Sequence, residues 1–284
     1  MHAMVLVDDK EEARKQWDTD PCGAVTAAPV APESVEWYES IRRHRYDVYA
    51  PWLPAAIDAQ RWGGADVLEV GVGLGTDHLS LAEAGARMHA LDLSAEHLRH
   101  TERNLALHGL KTQARLGDAE LNPWPADSFD LVYSFGVLHH TPGTDVAVRE
   151  VLRVLRPGGT ALIALYHRDS WFFWLRTMAW RGFLRFGLLR KGMRRLLSEI
   201  EYRGATNEAL PLVKVYSRRQ ARRLFSEFGH VSVGTHGVDT HHFPPPISWF
   251  CRDRPVPWME RWLRFGGWYV LIRATKRSHK VTSG

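Results

Sequence analysis

Apolar positions along the chain fall into two regimes that change at Asp66. From there, short apolar runs alternate with longer segments of helical period. The runs Asp66–Val70, Arg87–Leu91, Thr112–Leu116, Asp130–Phe135 and Thr160–Tyr166 predict strands, and the spacing over 76–85, 95–108 and 144–155 predicts helices. Such alternation implies parallel strands joined by right-handed crossovers, with helices on both faces of one sheet. Arg156-Pro157-Gly158-Gly159 predicts a helix stop and a sharp turn before the fifth strand. After an insertion at about 167–216, a helix is expected over Arg218–Phe228, a sixth strand near Val231–Val238 and a seventh over Gly267–Thr275. Ahead of Asp66, residues 1–35 read as irregular, punctuated by Asp20-Pro21-Cys22-Gly23, Pro29 and Pro32. A helical pattern then starts near Ser34 and runs through Trp37, Ile41 and Arg45.

The expected division is therefore a leader and lid helix over 1–65, a core over 66–166, a basic helical lid over 167–216, the rest of the core sheet over 217–276 and a tail over 277–284. Parallel strands present their C-terminal ends to one ligand crevice. The insertion leaves the end of strand five and the segment Asp239–Gly266 leaves the end of strand six, so both are expected to cover that crevice.

Composition narrows the class. An apolar fraction of 45% in 284 residues is ample for a core. No apolar run reaches the roughly 18 residues of a membrane span, and the charged start MHAMVLVDDKEEARKQWD has no apolar signal segment. Two cysteines, Cys22 and Cys251, have no metal-ligand spacing and make a disulfide framework unexpected, which suits a cytoplasmic location. The net charge of +5 permits an anionic partner.

The chemistry begins at Glu69-Val70-Gly71-Val72-Gly73-Leu74-Gly75, a G-x-G-x-G turn between a strand and a helix. Such a turn lets backbone approach a ligand closely, and the helix start favours an electronegative group. It is neither the G-x-G-x-x-G dinucleotide fingerprint nor a P-loop with Gly-Lys-Ser/Thr. Asp92 ends the second strand, where a carboxylate can accept two ribose hydroxyls, and Asp118 ends the third, where it can accept an adenine amino group.

The segments VLEVGVGLGTD (67–77), ALDLS (90–94), GDAE (117–120), SFDLVYSFGVLHH (128–140) and RVLRPGG (153–159) resemble the class I S-adenosylmethionine-dependent methyltransferases with a type 11 core. Trp17, Asp20-Pro21-Cys22-Gly23 and Arg45-Tyr46 are similar to a leader of bacterial members, and GWYVLIRATK (267–276) to their last strand. The resemblance implies an α/β fold: a doubly wound, seven-stranded, mostly parallel Rossmann-like sheet, the last strand antiparallel, with the helical lid inserted. It implies S-adenosyl-L-methionine as cofactor. Gly71, Gly73 and Gly75 would line its methionine and ribose portions, and Glu69 would hold its amino group. Asp92 would bind the ribose and Leu93 flank the adenine. Asp118 and Ala119 would contact the adenine edge, Ser134 and Phe135 would lie beside the methionine part, and Tyr46 joins the cofactor set from the leader.

A hydroxyl or ammonium acceptor needs a base, whereas a carboxylate largely does not. His139 and His140, just past strand four, and His167, after Tyr166 at the end of strand five, are the candidates. His236, Asp239, His241 and His242 match no familiar metal-ligand set, so a polar lid loop and no metal are expected there.

In the insertion, Trp171, Trp174, Leu175, Met178, Phe183, Phe186, Leu189, Met193, Leu196 and Leu197 recur near helical spacing among arginines, with Gly182, Gly187 and Gly192 expected to break one long helix. A lid packed on the core is the first reading; a membrane-surface helix and an anion site at Arg190, Lys191, Arg194 and Arg195 stay open beside it. With no nucleic-acid module, nucleic acid is the least supported partner. The expected function is methylation of a small-molecule acceptor, anionic or lipid-like, at oxygen, in specialised or lipid-linked metabolism. A peptide or protein carboxylate methyltransferase and a non-catalytic cofactor-binding protein are the alternatives.

Overall fold

The computed structural model describes residues 2–201, 211–238, 243 and 263–278, with side chains described from residue 9 onward. In chain order the helices are α1 (His2–Thr19), α2 (Val35–Arg43), α3 (Leu53–Ile57), α4 (Thr76–Glu83), α5 (Ala95–Leu107), α6 (Thr144–Val154), α7 (Gly187–Ser198) and α8 (Arg218–Leu224). The strands are β1 (Asp66–Val70), β2 (Arg87–Asp92), β3 (Gln113–Leu116), β4 (Phe129–Phe135), β5 (Leu155–Tyr166), β6 (His230–His236) and β7 (Tyr269–Thr275). They form one sheet of order β3-β2-β1-β4-β5-β7-β6, parallel except that β7 runs antiparallel to both its neighbours. All of β1 to β6 thus point their C-terminal ends at one edge, as the crossover pattern predicts.

Side chains alternate between two cores with the period of a strand. Val67, Leu131, Tyr133 and Leu162 pack with Leu79, Leu81, Leu105 and Ile57 on one face. Leu68, Val70, Val132, Ile163 and Ile272 pack with Val148, Val151, Ala221 and Phe225 on the other. Helix α2 starts where expected, with the Ser34 hydroxyl accepting from Trp37 N. Helix α8 opens with a reciprocal capping box between Ser217 and Gln220.

Two local expectations are corrected. Residues 1–35 are not irregular throughout, because α1 occupies 2–19. Its stripe is charged, so no apolar period announces it; Arg14 pairs with Glu11 and Asp18, and Lys15 with Glu12, at helical spacing. Arg156-Pro157-Gly158-Gly159 is not a turn ahead of β5 but its first stretch, pairing from Leu155 with a register shift between Phe129 and Leu131. Gly158 at φ 82° and the missing Pro157 N–H suit such an irregular strand start.

The insertion forms a helical hairpin, a π-helical segment Phe172–Leu184 followed by α7. The break falls at Phe186, in the left-handed region at φ 55°, with a further kink at Gly192 but none at Gly182. Phe173, Met178 and Leu196 are buried, Phe173 and Met178 against Tyr166 and Trp268. Residues 211–216 return along the loop after β4, with Lys214 N donating to His139 O and Tyr216 N to Tyr166 O. Asp239, His241, His242, Cys251 and most of the second lid lie outside the described residues.

Candidate active site

The glycine turn sits at the C-terminal edge of β1. Gly71 adopts φ 80°, and a Cβ there would meet the Val137 side chain at 2.1 Å, so both backbone and space require glycine. Gly73 and Gly75 also lie at positive φ. Asp92, from β2, holds this turn in place. Its carboxylate accepts from Val72 N at 2.8 Å, from Ser94 N at 2.9 Å and from His97 Nδ1 at 3.2 Å. Burial opposes its charge, yet His97 and these N–H groups hold it below the usual range. About four lone-pair sites belong to a carboxylate, so one remains for a ribose hydroxyl.

Glu69 is buried beneath the turn. Its Oε2 lies 3.0 Å from His78 Nδ1, while Oε1 makes no hydrogen bond among the described residues. The Thr112 hydroxyl donates to Met88 O and sits 2.9 Å from His78 Nε2, so it accepts the Nε2 proton and leaves Nδ1 as an acceptor. Glu69 must then carry a proton to bond His78. Burial pushes its acid well up, with Asp77 adding to the rise, and burial lowers His78 to about 3. The orphaned Oε1 is an acceptor that fits a cofactor ammonium, and one would draw Glu69 toward its charged form.

Asp77, in the first turn of α4, gathers a second network. Arg45 grips it with both Nε, at 2.8 Å, and Nη2, and the hydroxyls of Tyr133 and Tyr46 donate at 2.6 and 2.9 Å. Burial opposes the Asp77 charge, but Arg45 and the two phenols hold its carboxyl below the usual range. Arg45 also lies 4.6 Å over the Phe135 ring. Tyr46 is thereby placed on Asp77 and Ser80, and the Ser134 hydroxyl on Val70 O. Leu93 is half-buried beside Asp92.

Helix α1 crosses the same edge. Lys10 donates to Asp118 at 2.5 Å and lies 2.8 Å from Glu120; Asp18 accepts from the Ser94 hydroxyl at 2.6 Å; Arg194 of α7 pairs with Asp9. The other Asp118 oxygen accepts from Glu120 N, in the turn that Ala119 opens. Each oxygen of Asp118, the carboxylate that sequence reasoning assigns to the adenine edge, thus has one side-chain or backbone partner and keeps a further acceptor site.

Past α1, Cys22, Tyr49 and Glu201 lie near one another. Cys22 is accessible to water, yet protein surrounds it, and burial pushes its thiol up to about 11, helped by Glu201 and resisted by Arg45. Tyr49 behaves alike: it is exposed by 46%, pushed up to about 12 by burial, and its hydroxyl meets that of Tyr269. Asp92, Arg45 and Glu201 all act on the Cys22 thiol.

His139, His140 and Glu201 meet nearby, with ligating atoms within 4.8 Å of one another. His140 donates from Nδ1 to Leu212 O at 2.7 Å, so in the neutral ring Nε2 is the acceptor nitrogen, 3.7 Å from a Glu201 oxygen. His139 is packed between Tyr166 and His140, ring centroids 3.8 and 4.1 Å away, with neither ring nitrogen bonded. Burial, then the neighbouring His140 ring, drives its basicity well down. His167 is elsewhere: its Nδ1 donates to Gly267 O, and its charged neighbours are Asp169, Arg218 and Arg168. Sequence reasoning missed Glu201, Cys22, Tyr49, Tyr269 and Lys10. Glu201 carried one signal, an acid in a basic insertion expected over the crevice.

Residues 68–163 match the methyltransferase domain family. Over 127 residues the chain is 33% identical to an uncharacterized protein of Mycobacterium tuberculosis, covering 44% of this chain and 46% of that one. It is 32% identical over 110 residues to a ubiquinone biosynthesis O-methyltransferase of Xanthomonas oryzae, covering 37% of this chain and 44% of that one. The chain thus spans about half the length of the curated relatives it matches. In structure it is similar to the putative methyltransferase bound to the Trm112 activator in Haloferax volcanii, with a TM-score of 0.56 at 20% identity over 87% of this chain and 99% of that one; this shows the shared fold. Together with the glycine turn, Glu69 and Asp92, the match over residues 68–163 supports a class I methyltransferase core with S-adenosylmethionine as its cofactor.

Proposed function

We propose that this chain methylates a hydroxyl of a small molecule bound at the C-terminal edge of the sheet, with His140 as general base. The observation that carries this reading is the His140 tautomer: Leu212 O takes the Nδ1 proton, so Nε2 is the basic nitrogen, beside Glu201. When bound, the cofactor supplies a methyl group made electrophilic by its sulfonium. The residues named above would hold it, with Glu69 at its amino group and Asp92 at its ribose. His140 Nε2 would take the proton of the acceptor hydroxyl, leaving that oxygen to receive the methyl group the cofactor would supply. The Glu201 carboxylate stabilises the imidazolium that results. Tyr49, Tyr166 and Tyr269 shape the acceptor space, and α1 with the insertion excludes water from it. The two-cysteine composition favours the cytoplasm.

The test is transfer of labelled methyl to panels of phenols, alcohols, amines and peptide carboxylates. Hydroxyl acceptors should be the substrates. His140→Gln should lower kcat by about 10²–10⁴ while cofactor affinity holds, and chelation by EDTA should change nothing. Transfer to peptide carboxylates alone, or cofactor binding without any transfer, would replace this reading by one of the alternatives. Loss of activity in EDTA would instead assign the two histidines and Glu201 to a metal ion.

A further inference from the structure

The insertion exposes what its core-facing stripe does not need. Phe173, Met178 and Leu196 already bury one side of the hairpin. At its tip, Phe183, Leu184, Phe186 and Leu189 are exposed by 61, 68, 57 and 84%. The tip is a close turn: a Cβ at Gly187 would stand 2.4 Å from Arg181 O, which brings the end of one helix onto the start of the next. Around it, Arg181, Arg185, Arg190 and Lys191 line a surface pocket of ≈ 580 Å³. The acid there is Glu199, whose carboxylate is engaged by Lys191 at 2.7 Å. Burial, with Arg176 and Arg185 nearby, makes the Arg181 charge harder to hold, so the pocket is short of negative charge.

We propose that this tip docks on an anionic lipid bilayer, the four apolar side chains entering the acyl boundary while the arginine–lysine pocket receives a lipid phosphate. Apolar tips ringed by arginine and lysine are the composition of an interfacial element, and juxtaposed cations are drawn to the negative surface of a leaflet. Nucleic acid fits less well, since its phosphates satisfy the cations but leave Leu184 and Leu189 in water. A second copy of the tip would bring like charge against like. The proposal is independent of the methyl acceptor. It does bear on the site, because Glu201 follows three residues after α7 ends at Ser198.

The full chain should be co-sedimented with vesicles of phosphatidylcholine alone and with about 30% phosphatidylglycerol added, an anionic surface of the required kind. Binding should be at least about tenfold tighter to the anionic vesicles and weaken in high salt. The pairs Leu184→Asp/Leu189→Asp and Arg190→Glu/Lys191→Glu should each lower it by about tenfold, with circular dichroism, melting temperature and cofactor affinity unchanged. Equal binding to both vesicle types, or none, overturns the proposal. So does binding of inorganic phosphate or an RNA oligonucleotide that survives the Leu184→Asp/Leu189→Asp change without vesicle binding. A dimer in size-exclusion chromatography that this pair dissociates, again without vesicle binding, would assign the tip to self-association.

Discussion

Removing Arg45 should unfasten the leader from the core at a cost the geometry allows to be worked out. Asp77 is 3% exposed and takes two Arg45 nitrogens and two phenols. Arg45→Ala leaves that carboxylate buried with hydroxyl partners alone, a loss of about 3–5 kcal/mol. The contact with Phe135 at 4.6 Å adds about 0.5–1 kcal/mol. A domain holds about 5–15 kcal/mol in total, so the variant stays folded only narrowly. Arg45→Lys, which keeps the charge but not the fork, should lose about half as much. Urea unfolding of Arg45→Ala, Asp77→Asn and the double variant gives the coupling directly. It should exceed about 2 kcal/mol, the upper range for residues in one network. The pH dependence carries a second signature. Asp77 titrates below its ordinary value, so its contribution is present above about 3.8 and lost as pH falls through the depressed value. In Arg45→Ala that acid-limb loss should shrink. Additivity within about 0.5 kcal/mol would refute the reasoning, because distant, independent sites behave that way.

Gly71→Ala should destabilise by at least about 2 kcal/mol in thermal unfolding, from left-handed strain plus a Cβ 2.1 Å from Val137. His139→Leu removes two unpartnered nitrogens and should leave stability at neutral pH unchanged or raised by up to about 2 kcal/mol. Its pH dependence should also flatten. The buried imidazole titrates well below 6.5, so the stability it contributes is present above 6.5 and lost as pH falls, at up to about 1.4 kcal/mol per pH unit. Urea titrations at pH 7, 6 and 5 measure this, and an unchanged slope would show that His139 is solvated. Methyl transfer by the same variant should stay within about tenfold of wild type, since general base catalysis by His139 would be worth about 10²–10⁴.

The parallel sheet was legible because strands and helices announce themselves by different periods, and β1 appears at its expected bounds. Asp92 could be singled out because its position at a strand end defines its geometry. Helix α1 was illegible because ion pairs at helical spacing, not an apolar face, mark it. Glu201 could not be matched to His140 because their meeting depends on how a hairpin folds back, and no local pattern encodes that. The three candidate histidines were equivalent in sequence; a carbonyl at Nδ1 and a carboxylate near Nε2 separate His140 from His139 and His167. Lys10 shows the same limit, since nothing near it in the chain points to a carboxylate 108 positions away.

Helix α1 is fastened across the crevice largely by charge: Lys10 to Asp118 and Glu120, Arg194 to Asp9. A closure of this kind makes turnover a question of ionic strength. Release of spent cofactor past α1 would require those pairs to part, and dissolved ions weaken partly exposed pairs. Where release limits the rate, moderate salt should quicken the enzyme, and the same salt should shorten the residence of its product.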